Sequence, residues 1–200
     1  MTLERAQSSP LFQRVQAILL RPRQEWQVID GETTTTSDLF RSYVAPLAAI
    51  PAVAQLIGSA VFGVGLGPFG TVRVSLTGAI VQAIVTFALT LVGVYVLGLI
   101  IDALATNFGG TKNSMQALKV AAYSSTAQWV AGVFAILPAL SFLTILGVYS
   151  LFLLYLGLPV LMRAPQERAL TYTIAVVVVA IVMAIVIGII AGAFTGSLIG

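Results

Sequence analysis

The chain has 200 residues, of which 58% are hydrophobic and 8% are charged, and its net charge is +3. Soluble domains carry roughly 25% charged residues, so this composition excludes an ordinary soluble domain and predicts a membrane protein. Cysteine and histidine are absent, which excludes disulfides, thiolate chemistry and imidazole ligands, and the scattered basic residues argue against a nucleic-acid partner.

Residues 1–41 form a polar tail that holds ten of the chain's seventeen charged side chains. Apolar residues recur at helical spacing from Leu11 to Leu19 with polar residues between them, which predicts an amphipathic helix. Pro22 begins a second short helix, in which Trp26 and Ile29 are the apolar contacts. These helices either lie among anionic lipid headgroups, with their arginines near the lipid, or pack on the ends of a helix bundle.

The composition changes abruptly after the tail, and residues 42–200 contain five hydrophobic runs. A bilayer core about 30 Å thick needs about 20 apolar residues in a helix. The runs cover about 44–62, 74–101, 120–137, 140–162 and 172–194. We therefore predict an all-α integral membrane protein, a five-transmembrane-helix bundle with N-terminal amphipathic cytoplasmic helices.

The distribution of positive charge predicts the orientation of this bundle. When the N-terminus is cytoplasmic, nine of the ten lysines and arginines lie on the cytoplasmic side and Arg73 alone lies outside. Cytoplasmic loops of membrane proteins carry such an excess of positive charge. The sequence thus predicts a cytoplasmic N-terminus and an external C-terminus.

Uncharged polar residues within the second and third runs form a candidate polar path. Gln82, Thr86 and Thr90 fall four residues apart on one face, and Tyr123 and Gln128 can face them from the third run. One interpretation is hydrogen bonding between helices. The other is a polar lining for water or a solute.

The loop between the second and third runs holds the remaining charged candidates. Asp102 lies at the inner end of the second run, where it reaches water or pairs with Lys112. Asn113, followed by Gln116, is typical of a capping pair that opens the next helix. No nucleophile elbow, phosphate loop or zinc-binding helix occurs, so we predict no catalytic, cofactor-binding or metal-binding residue and no enzymatic activity.

Small residues recur every four positions in the last run. They are Ala180, Ala184, Gly188, Gly192 and Gly196. Such stripes let two helix backbones approach closely within a membrane. The contact is either another helix of the same chain or a second protomer, so a homo-oligomer or another membrane protein is the expected partner, beside the surrounding lipids.

Four segments in this order resemble one known family. They are RPRQEWQVI (Arg21–Ile29), YVAPLAAIPAV (Tyr43–Val53), FGGTKNSMQALKVAAYSSTAQWVAGVF (Phe108–Phe134) and ILPALSFLTILGVYSLFLLYLGL (Ile136–Leu158). Together they resemble the Yip family of integral membrane proteins, named for interaction with Ypt/Rab GTPases, and specifically its bacterial branch. The resemblance covers about Leu11 to Phe194 and implies five membrane spans, a cytoplasmic N-terminus and no catalytic residues.

Family members often carry a proline soon after the tyrosine of the third span, where this chain has Ala127. The eukaryotic tail motif Asp-Leu-Tyr-Gly-Pro is not present, so Rab binding is not expected. We expect a self-associating structural or adaptor protein of the bacterial inner membrane. The alternative is a small channel, transporter or lipid-moving protein that uses the polar path.

Overall fold

A computed structural model describes residues 10–65, 71–72 and 75–199. Nine α-helices cover most of these residues, and one pair of two-residue strands joins two of the helices. The helices are α1 (Pro10–Leu20), α2 (Pro22–Gly31), α3 (Thr36–Leu39), α4 (Ala45–Phe62), α5 (Leu76–Leu104), α6 (Ser114–Ser124), α7 (Thr126–Ala131), α8 (Tyr149–Leu161) and α9 (Ala169–Ile199). The strands β1 (Val64–Gly65) and β2 (Thr71–Val72) pair antiparallel in the first loop between spans.

Shorter helical segments of other types connect several of these helices. A π-helical turn links α3 to α4, and 3₁₀ turns follow α5 and precede α9. Two further 3₁₀ segments, Gly132–Ile136 and Pro138–Val148, lie between α7 and α8. A 3₁₀ helix rises about 2.0 Å per residue, so the second segment extends about 22 Å, where an α-helix of that length would extend about 16 Å.

Four described helical stretches are long and apolar enough to cross a membrane. They are Thr36–Phe62, Leu76–Phe108, Ala139–Leu161 and Gln166–Met183. The first begins before the hydrophobic run itself, because the Thr35 hydroxyl caps it by accepting from the Asp38 backbone N–H at 3.1 Å. These four match the predicted first, second, fourth and fifth runs.

The predicted third run, 120–137, differs from the others because it is not one continuous helix. The α-helical hydrogen-bonding pattern is interrupted at Ser125, between α6 and α7, although the backbone there stays in the right-handed helical region. The Ser125 and Thr126 hydroxyls donate to the backbone carbonyls of Ala121 and Tyr123, at 2.8 and 2.7 Å. Side-chain bonds of this kind compete with the helical ladder and bend helices.

The broken segment nevertheless runs alongside α4 in the same direction. The Tyr43 and Thr126 hydroxyls hydrogen-bond at 2.7 Å at one end. At the other end the backbones approach so closely that a Cβ atom on Gly58 would lie 2.6 Å from the carbonyl oxygen of Ala135. Glycine at this position is therefore required for the contact.

The next segment returns antiparallel to it after Pro138. A Cβ atom on Gly147 would lie 3.1 Å from the Gln128 Cα, and the Gln128 backbone N–H donates to the Ser150 hydroxyl at 3.0 Å. The α7 and α8 regions are thus the two sides of one tight hairpin.

The predicted small-residue stripe lies on α9. The backbone of this helix is described to Ile199, and Ala180 packs at the edge of the core. The side-chain surroundings of the other stripe positions lie outside the described residues. Those positions are Ala184, Gly188, Gly192 and Gly196.

Candidate functional site

The N-terminal helices α1 and α2 form a hairpin that is anchored to the bundle by Trp26. This side chain is fully buried, and its ring lies so close to α8 that a Cβ atom on Gly157 would lie 2.8 Å from it. Tyr123 meets Trp26 edge-to-face with ring centroids 6.3 Å apart, and Tyr43 lies 4.4 Å from Tyr123. The tail therefore contacts the third and fourth long segments through this aromatic cluster, and Tyr43 joins the first segment to it.

An ion-pair network holds the two tail helices together. Arg14 on α1 donates to the carboxylates of Glu25 and Glu32, and its guanidinium lies 5.9 Å from the ring centroid of Tyr123. Burial would lower the pKa of Arg14, but the hydrogen bond to Glu32 and the charges of both carboxylates outweigh it and raise the pKa. The predicted lipid-facing role of the tail arginines is therefore not available to Arg14.

Lys119, on α6, hydrogen-bonds to the C-terminal end of α2. It is 3% exposed, and its ammonium donates to the carbonyl oxygens of Ile29 at 3.0 Å and Glu32 at 2.5 Å. A cation at a helix C-terminus complements the negative end of the helix dipole. Burial lowers the pKa of Lys119, and the nearby charges of Glu32 and Asp30 oppose that effect.

Asp30 makes the last of these contacts. Its carboxylate accepts from the Gln116 side-chain amide at 3.0 Å and from the Arg163 guanidinium at 2.8 Å. Arg163 lies between α8 and α9 and has a positive φ of 55°. The acidic side chains of α2 and of the residue after its end, Glu25, Asp30 and Glu32, are thus all bonded to cationic or amide partners.

The outer side of the hairpin has a different chemistry. Arg21 and Arg23 are exposed, and no ion pair of the described residues includes them. Beside them lies a groove of about 490 Å³ between the α1–α2 turn and α8. Its lining consists of residues 20–24 together with Tyr149, Phe152 and Leu156.

Apolar side chains are also exposed on this hairpin. Phe12, Leu20 and Val28 are 58%, 70% and 52% exposed, whereas Ile18 and Ile29 are fully buried. The hairpin therefore carries two sets of apolar side chains. One set is buried against the bundle, and the other is exposed. The spacing of apolar residues alone does not distinguish these two sets.

The three polar-path candidates on α5 do not converge on the third segment. Gln82 is exposed, the Thr86 hydroxyl donates to the Gln55 side-chain oxygen of α4 at 3.4 Å, and the Thr90 hydroxyl donates to the Thr86 carbonyl at 2.8 Å. Thr86 and Gln55 are an interhelical pair of the kind that the first interpretation predicts.

The remaining two candidates lie in other surroundings. Tyr123 belongs to the aromatic cluster beneath the tail, and Gln128 is exposed and packs beside Gly147. In the part of the chain that the structure describes, no hydrogen bond joins either residue to the candidates on α5. The structure therefore brings together no continuous polar lining from these five side chains.

Asp102 and Lys112 are also apart. The Ser114 hydroxyl donates to one Asp102 carboxylate oxygen at 3.3 Å, and the other oxygen is buried without a hydrogen-bond partner. Lys112 is exposed, and the ion pairs of the described ranges do not include it. The Asn113 half of the predicted capping pair is confirmed, since its side chain accepts from the Gln116 backbone N–H at 3.1 Å. The Gln116 side chain does not return the bond, because its amide donates to Asp30 instead.

No three acidic side chains of the described ranges converge as metal ligands would. The sequence predicts Trp26 and Ile29 as apolar contacts but does not predict their partners. Gly157 and Lys119 lie about ninety residues or more further along the chain, and a single sequence carries no signal that pairs positions so far apart. The carboxylates of Glu25 and Glu32, two helical turns apart, are the one local hint of a shared cationic partner.

Comparison with known proteins covers this tail hairpin and the helices together. A family model described as Yip1 domain matches residues 17–188. "Inner membrane protein YohC" of Escherichia coli strain K12 is 28% identical over 163 residues, which are 80% of this chain and 84% of that protein. The protein of the same name from Escherichia coli O6:H1 strain CFT073 matches to the same extent. No solved structure matches.

Proposed function

This chain belongs to the Yip1 domain family, and on that premise we propose that it is an integral inner-membrane protein of structural or adaptor type. It holds a membrane partner or a second copy of itself, with the tail hairpin on the cytoplasmic surface. The similarity to YohC, whose name describes an inner membrane protein, supports the location. That it acts without catalysis is part of the proposal and rests on the catalytic patterns missing from its sequence.

The observation that carries the adaptor role is the docked tail. Trp26 and Lys119 fix the hairpin on the bundle, and the ion pairs of Arg14 hold its two helices together, while Phe12 and Val28 remain exposed. A preformed surface loses less conformational entropy on binding than a flexible tail does. An apolar surface held in this way favours a protein partner.

Five membrane passes with a cytoplasmic N-terminus are the proposed topology. The α4 and α7 segments run in the same direction, and α5 lies between them in the chain. This supports the topology, because two passes in the same direction need one pass in the opposite direction between them. The extended 3₁₀ segments let the short third and fourth passes reach across a core of about 30 Å. Helix α5, with 29 residues, extends about 43 Å and so projects beyond that core.

We propose that the tail lies against the helix ends that project beyond the cytoplasmic side of the core. Helix α2 packs on α8 beside Gly157, and Lys119 near the start of α6 binds the end of α2. We place this layer at the headgroup level, just inside the cytoplasm. The hairpin thereby combines protein packing on one face with access to lipid headgroups or a partner on the other.

A channel or transporter function is the weaker proposal. It needs the polar path, and Thr86 and Gln128 instead bond to or pack against α4 and the α8 region. Replacing Gln82 and Gln128 by leucine leaves any flux through liposomes unchanged if the adaptor proposal is right. A flux that falls with this double variant, while fold and assembly persist, would favour the path.

The adaptor proposal is tested by photo-crosslinking in native membranes. A photoreactive amino acid replaces Phe12 or Val28, and the matched control replaces Val92, which is equally exposed on α5 at 57%. We expect discrete protein adducts from positions 12 and 28 and none from position 92. Only diffuse lipid adducts at all three positions would contradict an adaptor surface on the tail.

A further inference from the structure

We propose that the groove beside Arg21 and Arg23 binds one anionic phospholipid of the cytoplasmic leaflet. The inference rests on the proposed cytoplasmic side of the tail and is independent of the adaptor role. It identifies a specific ligand site, where the sequence pattern indicated only a general proximity of tail arginines to lipid. Three features of the groove support it: its charge, its depth and its continuity with an apolar groove.

The acidic side chains of the tail are paired within the protein, whereas two basic side chains lie beside the groove. The Glu25 and Glu32 carboxylates pair with Arg14, and the Asp30 carboxylate pairs with Arg163 and Gln116, so the negative charge of α2 and its end is compensated within the protein. Among the described residues no carboxylate pairs with Arg21 or Arg23, which lie beside the groove at the start of α2. Paired guanidinium groups bind a phosphate through short charge-assisted hydrogen bonds.

The depth of the groove matches the headgroup level. The Tyr149 hydroxyl donates to the Leu19 carbonyl at 3.1 Å, which places the α1–α2 turn beside the start of α8. When Pro138 lies at the external edge of the core, as the proposed topology has it, the 3₁₀ segment Pro138–Val148 covers about 22 Å of a core about 30 Å thick. The groove therefore opens within about two helical turns of the cytoplasmic edge of that core, where a lipid phosphate lies.

An apolar groove continues from the basic one. It has a volume of about 590 Å³, lies between α8 and α9, and shares Phe152 with the basic groove. Its other lining residues are Leu151, Tyr155, Leu170, Thr173, Ile174, Val177 and Val178. A basic site joined to an apolar groove through one shared aromatic side chain has the two-part chemistry of a phospholipid, with its phosphate at the arginines and an acyl chain over Phe152.

The test measures lipid binding to the full chain purified in a neutral detergent. Phosphatidylglycerol and phosphatidylcholine with identical acyl chains are titrated, and lipid-bound protein is quantified by native mass spectrometry. We expect phosphatidylglycerol to bind at least about tenfold more tightly, and R21Q/R23Q to abolish that preference. R41Q/K112Q removes the same charge from exposed sites elsewhere and is expected to keep it.

Two further arms identify the source of the anion. Replacing Ile174 by Trp fills the apolar groove and is expected to weaken long-chain phosphatidylglycerol while leaving a six-carbon analogue unchanged. Inorganic phosphate at millimolar concentration is expected not to displace the lipid. The proposal is overturned if R21Q/R23Q, shown to be folded by circular dichroism, retains the preference, if the control variant loses it equally, or if phosphate alone displaces the lipid.

Discussion

Two side chains determine whether the tail is part of the bundle. Trp26 supplies the largest fully buried side chain of the described residues, and it can lie against α8 only because residue 157 has no Cβ atom. Lys119 supplies the polar link at the other end of α2. Composition and spacing predicted the tail helices and their apolar contacts, whereas this complementarity depends on three-dimensional proximity.

Replacing Gly157 by leucine is expected to undock the tail. The added side chain overlaps the Trp26 ring, and overpacking of this kind costs about 1–3 kcal/mol. That cost corresponds to an increase of roughly five- to 150-fold in the undocked fraction. Limited trypsin digestion after Arg14 or Arg23 measures it, and we expect correspondingly faster cleavage in G157L.

Gly93 provides the control for this variant. It lies on α5, and a Cβ atom built there meets nothing within 4 Å. G93L is therefore expected to be cleaved at the wild-type rate. Equal cleavage of G157L, G93L and wild type would show that the tail does not depend on Trp26 packing.

Replacing Lys119 by methionine is expected to destabilise the protein. Two hydrogen bonds are lost: the Ile29 carbonyl keeps the Glu32 backbone N–H as a donor, whereas the Glu32 carbonyl loses its Lys119 donor. Leaving a partly buried acceptor of this kind unpaired costs about 1–3 kcal/mol. The denaturation midpoint in detergent measures the change. K112M removes an exposed lysine of the same size and is expected to change the free energy of unfolding by less than about 0.5 kcal/mol.

At the scale of elements, the third segment shows where hydrophobicity analysis fails. Its apolar content predicts one continuous span, but consecutive hydroxyl residues at Ser124, Ser125 and Thr126 all donate to backbone carbonyls. The helix is interrupted there although this chain has Ala127 where members of the family often have a proline. The three adjacent hydroxyl residues are visible in the sequence and indicate the interruption of the helix. Hydropathy averaged over the whole run does not reveal it.

The small-residue stripe of α9 is expected to be the contact through which the protein self-associates. Enlarging Gly188 and Gly192 to isoleucine removes the close approach that small residues permit, so a detergent-purified oligomer is expected to become a monomer. Light scattering of the purified protein gives the mass. V182I/V186I enlarges other positions of α9 and serves as the control, and a G188I/G192I protein with unchanged mass would contradict self-association through this stripe.

At the scale of the whole molecule, composition predicted the helical membrane class because charged residues are too few for a water-exposed surface. Whether the tail meets lipid or protein could not be predicted, because both surfaces accept an amphipathic helix. The structure shows the protein contact: Ile18, Trp26 and Ile29 pack on the bundle, while Leu20 and Arg21 are exposed. Contact of the exposed side chains with lipid stays a prediction.

The number of membrane passes is also a property of the whole molecule. Single introduced cysteines can test it, because the chain contains no native cysteine. Ser75, Lys112 and Ala139 are exposed and are replaced one at a time. Five passes with a cytoplasmic N-terminus place positions 75 and 139 outside and position 112 inside. A membrane-impermeant maleimide added to intact cells is expected to label S75C and A139C only, and K112C only after the membrane is opened. If the third segment entered the membrane and returned to the same side, A139C would instead be labelled together with K112C, because the chain would not have crossed between them.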